Sequence, residues 1–182
     1  RIGIPSPGSE VQTSTNVENF RKERFSEMTG KVDARLTALN IELPDAPAPA
    51  ANYVPFVLTG NLVFVSGQVP WVGGERNFVG KVGIDYTVDE GQDAARTVAL
   101  NIIAQVKAAC DGDLDRVVRC IKLGGFVNCP DNFHQQPQVI NGASDLMVDV
   151  FGDAGRHSRF AVGAPALPFN VAVEIDAVFE VR

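Results

Sequence analysis

The tightest constraint in this chain is the strict two-residue alternation at its C-terminal end. From Val171 to Arg182, Val171, Val173, Ile175, Ala177, Phe179 and Val181 fall on one face, and Ala172, Glu174, Asp176, Val178, Glu180 and Arg182 on the other. That pattern suits a strand with one face on a hydrophobic core. Just before it, Ser158-Arg159-Phe160-Ala161-Val162 begins another strand, and Leu167-Pro168-Phe169-Asn170 reads as the turn between the two. A hairpin closing there brings the Arg159 guanidinium and the Glu174 carboxylate to one cleft, as a carboxylate clamp with an acid/base beside it. Solvation alone also puts charges on one face of a terminal strand, so this segment needs support from the rest of the chain.

The segments upstream organise into one domain over residues 28–182. Val32, Leu36 and Leu39 share a helical face from Thr29 onward, and this helix ends before Pro44. Asp45-Ala46-Pro47-Ala48-Pro49-Ala50 is an extended linker, because each proline disfavours helix at the residue before it. A hairpin follows, Tyr53 to Leu58 and Leu62 to Ser66 around Thr59-Gly60-Asn61, and a third strand is expected around Phe78 to Val82. Trp71 follows Pro70 in a loop, where it is available to an interface.

The clearest helix runs from Val88 to Cys110, with Thr87 and Glu90 as a capping box and Ala95, Val98, Ala99, Ile102, Ile103 and Val106 as its core stripe. A strand follows from Val117 to Asn128, then a second long helix from Gln136 to Phe151 and the two final strands. The expected order is β-β-β-α-β-α-β-β behind a short helix, an α+β arrangement. Residues 1–27 are polar and rich in turn formers. They read as an extension that is disordered or left over from expression, with Met28 as an alternative start.

Composition narrows the function classes. With 45% hydrophobic residues the chain can bury a real core, and 16 Lys and Arg against 22 Asp and Glu give a net charge of −6 with no basic stripe for a phosphate backbone. No apolar run reaches the about 20 residues that cross a bilayer, so a cytoplasmic address is expected. Cys110, Cys120 and Cys129 fit no zinc spacing and read as free, mainly buried thiols. His134 and His157 lack ligand spacing with any cysteine, so no structural metal is expected.

Ser66-Gly67-Gln68-Val69-Pro70 leaves the second strand, where Gly67 suits a bulge or tight exit. Taken with Tyr53, Asn141, Arg159 followed by Ala161-Val162 and Leu167-Pro168, and Glu174 in Val173-Glu174-Ile175, it resembles the Rid/YjgF family in order and spacing over residues 50–182. These are reactive intermediate deaminases, also known as L-PSP endoribonucleases, and this chain looks like a longer branch with an added N-terminal helix.

The resemblance implies a chorismate-mutase-like fold, a sheet with two helices on one face, assembled as a homotrimer with clefts between subunits. It implies hydrolysis of enamine and imine intermediates such as 2-aminoacrylate to 2-keto acids and ammonia, without metal or cofactor. Arg159 would hold the substrate carboxylate through a bidentate fork and Glu174 would orient and deprotonate water. The Ala161 backbone would lie beside the reacting carbon, with Tyr53, Ser66 and Asn141 shaping the pocket.

Each residue also has a plainer role: a surface ion pair for Arg159, a solvated carboxylate for Glu174, packing for Tyr53, a strand end for Ser66 and a helix cap for Asn141. The chain departs from the family pattern at Phe160 and Ala161, where a small hydroxyl residue and often a cysteine are usual. Phe160 points opposite to Arg159, into the core or across the cleft. Gly163 and Pro165 interrupt the strand, with an edge or bulge expected at Pro165. The second functional expectation is therefore a non-catalytic trimer that binds a small acid or a protein. An endoribonuclease fits the acidic composition worst.

Overall fold

The computed structural model describes residues 30–48 and 52–182. The polar stretch 1–27 and the Pro49–Ala50 end of the linker lie outside the described residues. The elements are α1 (Lys31–Ala38), β1 (Phe56–Thr59), β2 (Leu62–Gln68), β3 (Trp71–Val72), β4 (Glu75–Arg76), α2 (Val88–Ala109), β5 (Val117–Asn128), α3 (Gln136–Phe151), β6 (Ser158–Ala164) and β7 (Val173–Val181). Five strands form one mixed sheet in the order β1-β2-β7-β5-β6, and β3 pairs only with β4.

The alternation of the last strand is realised as expected. Val173, Ile175, Ala177, Phe179 and Val181 are buried beneath the two long helices, together with Val63 and Val65 of β2 and Leu123 of β5. Each of these side chains larger than alanine contributes about 1.5–3 kcal/mol when fully buried. The capping box at Thr87 is formed, the Thr87 hydroxyl accepting from the Glu90 N–H and the Glu90 carboxylate accepting from the Thr87 N–H. The helices approach so closely that a Cβ at Gly142 would collide with the Gln92 carbonyl. The N-terminus of α1 is capped from a distance: the Asp115 carboxylate accepts from the Lys31 and Val32 amides at 2.7 and 2.9 Å. Cys110, Cys120 and Cys129 are free and buried, and burial pushes the Cys120 thiol up to about 12, away from nucleophilic use. Among the described residues no helix is long and apolar enough to cross a membrane.

Two strand expectations are corrected. The third strand around Phe78–Val82 is absent; the chain instead forms the small β3–β4 hairpin through Gly73 and Gly74, both at positive φ. Phe78 (φ 54°) and Gly80 (φ 146°) break the extended geometry that a strand needs, and only the single bridges Val79–Val171 and Val82–Tyr86 remain.

The final hairpin is also absent. The unit β5-α3-β6 is a crossover, which lays β6 parallel to β5 at the sheet edge, while β7 pairs with the other side of β5. The residues between β6 and β7 cross the end of β5 and turn at Phe169 and Asn170, both at positive φ. Phe160 is not in the core: its ring lies over Gly124 on the open face and meets Phe126 edge-on at 5.4 Å.

Candidate functional site

The sequence-predicted residues fall into two groups on opposite faces of the sheet. Laterally paired residues in a sheet point the same way, and Arg159 pairs with Leu123, which pairs with the core residue Ala177. Arg159 therefore points to the helix face. Glu174 pairs with Phe126, which pairs with the exposed Val162, so it stands on the open face. The two groups do not meet within one chain, which corrects the expectation drawn from a terminal hairpin.

On the open face a cleft of about 710 Å³ opens at the end of β2 and β7, lined among others by Tyr53, Gln68, Trp71, Arg76, Phe169 and Glu174. Its position follows from an irregularity in β2. The β2–β7 register shifts between Val65 and Gln68, and the Gln68 amide folds back to donate to the Ser66 carbonyl at 3.0 Å. The Ser-Gly-Gln motif is thus a bulge, and Gly67 has a specific reason to lack a side chain: a Cβ there would collide with Oε1 of Glu174. Glu174 is half-buried against this glycine. Burial raises its carboxyl above the ordinary carboxylate range, and the neighbouring Asp176 charge adds to the rise.

Ser66 stands behind the cleft rather than in it. Its hydroxyl donates to the Val54 carbonyl at 2.7 Å and its amide to the Pro55 carbonyl at 3.0 Å, fastening to β2 the segment that carries Tyr53. Trp71 is a half-buried cleft wall, held from below where Asn101 of α2 donates to the Val69 and Trp71 carbonyls at 3.0 and 3.1 Å. The opposite wall rests on buried Asn128, which accepts from Lys81 Nζ at 2.7 Å and donates to Asn170 Oδ1 and the Val171 carbonyl, both at 3.1 Å. These bonds hold the turn that presents Phe169.

On the helix face, Arg159 is clamped to α3. Nη1 donates to Asn141 Oδ1 and Ser144 Oγ, both at 2.9 Å, and Nη2 donates to the Pro137 carbonyl at 3.3 Å. Nε–H and one Nη2–H keep no acceptor among the described residues. A guanidinium with that edge free is a preformed fork for a carboxylate. Behind it His157 Nδ1 donates to the Gly155 carbonyl at 2.6 Å, a tautomer assigned from the network, so Nε2 accepts from the Ser144 hydroxyl at 3.0 Å. Burial lowers the His157 pKa, the Gly155 bond opposes this, and the Arg159 charge lowers it further, which keeps the imidazole neutral. Ala161 sits half-buried on the same edge strand, paired with Gly125.

Sequence reasoning missed Ser144, His157, Arg76 and Phe169 as parts of these surroundings. Ser144 had a signal, being three residues after Asn141 on one helix face, and His157 lies two before Arg159. Arg76 and Phe169 had none, since their meeting depends on two separate turns.

Comparison with known proteins agrees with the geometry. Residues 33–180 match the family described as "YjgF/chorismate_mutase-like, putative endoribonuclease". Protein TCP17 of Trypanosoma cruzi is 51% identical over 157 residues, covering 85% of this chain and 96% of that protein. The crystal structure of protein Atu1372 from Agrobacterium tumefaciens, of unknown function, superimposes with a TM-score of 0.79 at 48% identity, covering 91% of this chain and 99% of its own. TdcF of E. coli, solved with bound serine, superimposes with a TM-score of 0.55 at 28% identity, covering 78% of this chain and 96% of its own.

Proposed function

Since this chain belongs to the YjgF/chorismate-mutase-like family, we propose that it hydrolyses small enamines and imines of the 2-aminoacrylate and 2-imino acid type to 2-keto acids and ammonia. The observation that carries this is the pair formed by a guanidinium with a free bidentate edge and a carboxylate whose pKa is raised by burial. Because the two stand on opposite faces, a complete site takes Arg159 from one copy and Glu174 from the next. The open face supports such an assembly as a homotrimer: Val57, Phe64, Phe126 and Val162 leave 39–51% of their surface uncovered there. The serine held by TdcF is itself a small amino acid with a carboxylate.

In this mechanism Arg159 binds the substrate carboxylate and Asn141 and Ser144 hold the fork in place. The iminium carbon is electrophilic without further activation. Glu174 accepts a proton from water as its oxygen bonds to that carbon, giving a carbinolamine, and the proton returns to nitrogen. The C–N bond then breaks, the hydroxyl proton is lost, and a 2-keto acid and ammonia leave. A raised pKa makes Glu174 a better base. Tyr53 and the Ala161 backbone border the reacting atoms, and free, buried cysteines fit a cytoplasmic setting.

A non-catalytic binder of a small acid or a protein is the second reading, favoured by Ala161 in place of a thiol and by Phe160 packed edge-on against Phe126. An endoribonuclease suits the site least, because within one copy the cleft is lined by a single cation, in a chain of net charge −6, and RNA binding would depend steeply on salt. The test is ammonia release from enzymatically generated 2-imino acids. Wild type should accelerate it and Arg159→Ala should lose about a hundredfold or more in kcat/KM. No acceleration over buffer with any precursor would leave the binder.

A further inference from the structure

We propose that Arg76 is a second carboxylate anchor, so that the site selects imines of dicarboxylic amino acids; this rests on the imine-hydrolysis reading of the same cleft. Among the residues lining the cleft, Arg76 is the one cation and Glu174 the one anion. Arg76 forms no ion pair and donates no hydrogen bond among the described residues, in a chain with 22 acidic side chains against 16 Lys and Arg.

Two aromatic rings decide how Arg76 can be used. Its guanidinium carbon lies 3.8 Å from the centre of the Phe169 ring and 5.6 Å from that of Trp71. Stacking satisfies the faces of a guanidinium but none of its in-plane N–H donors. What remains is a planar fork on a rigid aromatic support, bordering a partly apolar cleft. That edge recognises a planar anion. The partner is small, because the cleft of about 710 Å³ is the size of a metabolite site. With the α-carboxylate taken by Arg159 of the neighbouring copy, the group that reaches Arg76 is the side-chain carboxylate of the substrate.

Trp71 is the sole tryptophan of the chain and stands beside this fork, so binding can be read without turnover. Wild-type protein is titrated by tryptophan fluorescence with 2-oxoglutarate and with 2-oxobutyrate, and both are repeated in Arg76→Met, which keeps an unbranched chain on Phe169 but has no donors. The expected result is 2-oxoglutarate binding about ten- to hundredfold tighter than 2-oxobutyrate in wild type, with the difference abolished in the variant and 2-oxobutyrate unaffected. Equal affinities in wild type, or a loss shared by both ligands in Arg76→Met, overturns the proposal. Arg76→Lys separates charge from geometry: recovery of less than half of the discrimination supports the planar fork. In parallel, ammonia release is compared for imines of acidic and neutral amino acids. Discrimination in binding without turnover of any imine sinks the hydrolysis reading and leaves the anchor standing. Turnover without discrimination does the reverse.

Discussion

Glu174 is half-buried beside Gly67 with Asp176 on the same strand face, and both surroundings favour its protonated form. Its folded pKa lies above the unfolded value of about 4.3, so the stability tied to protonation is full below that pH and is lost as pH rises through the folded value. At neutral pH the ionised carboxylate is a cost to the fold. Glu174→Gln should therefore melt higher than wild type at pH 7 and lose that advantage below about pH 4.3. Thermal unfolding across that range checks it, and a gap independent of pH would refute the assignment. The same variant should lose turnover, since an amide cannot accept the proton. At this scale the strand positions of Arg159 and Glu174 were legible, because strand alternation and motif spacing are local. The stack of Arg76 on Phe169 was not, because it depends on where two turns end in space.

Among the elements, the long helices and β5 could be read from periodicity and caps, and Gly67 in its motif pointed to the β2 bulge. Pairing partners could not. Neighbouring strands usually pair, which favours a hairpin between β6 and β7, yet the crossover through α3 had already committed β6 to the far edge of β5. The turn after β6 then needs its own support, supplied by Asn128 from the end of β5. Asn128 is fully buried and joins Lys81, Asn170 and Val171. Asn128→Ala leaves the Val171 carbonyl without its donor and takes one of two acceptors from the Lys81 ammonium, which keeps the Pro165 carbonyl, and should cost about 1–3 kcal/mol in urea unfolding. It should also weaken the Trp71 fluorescence response to ligand, because the turn carrying Phe169 loses its anchor. An unchanged midpoint would mean that water replaces these bonds without loss.

For the whole molecule, the open face of the sheet is the unfinished surface. Phe64 is 43% exposed on the central stretch of β2, paired with Val178 of β7. A charge there costs the folded monomer little and an assembled one a great deal. Phe64→Glu should convert the expected trimer to monomers in sedimentation, with helix content unchanged and imine hydrolysis lost; an assembly of unchanged mass would exclude this face as the contact.

The placement of Arg159 and Glu174 on opposite faces has a consequence that can be read by mixing. A copy lacking the arginine still offers a carboxylate to one neighbour, and a copy lacking the carboxylate still offers an arginine to the other. If Arg159→Ala and Glu174→Gln chains, each inactive alone, are unfolded together and refolded into hybrid rings, about one site in three within each hybrid recovers both groups. Two dead proteins would then complement each other in a tube, whereas a site built within single chains would stay silent at every mixing ratio.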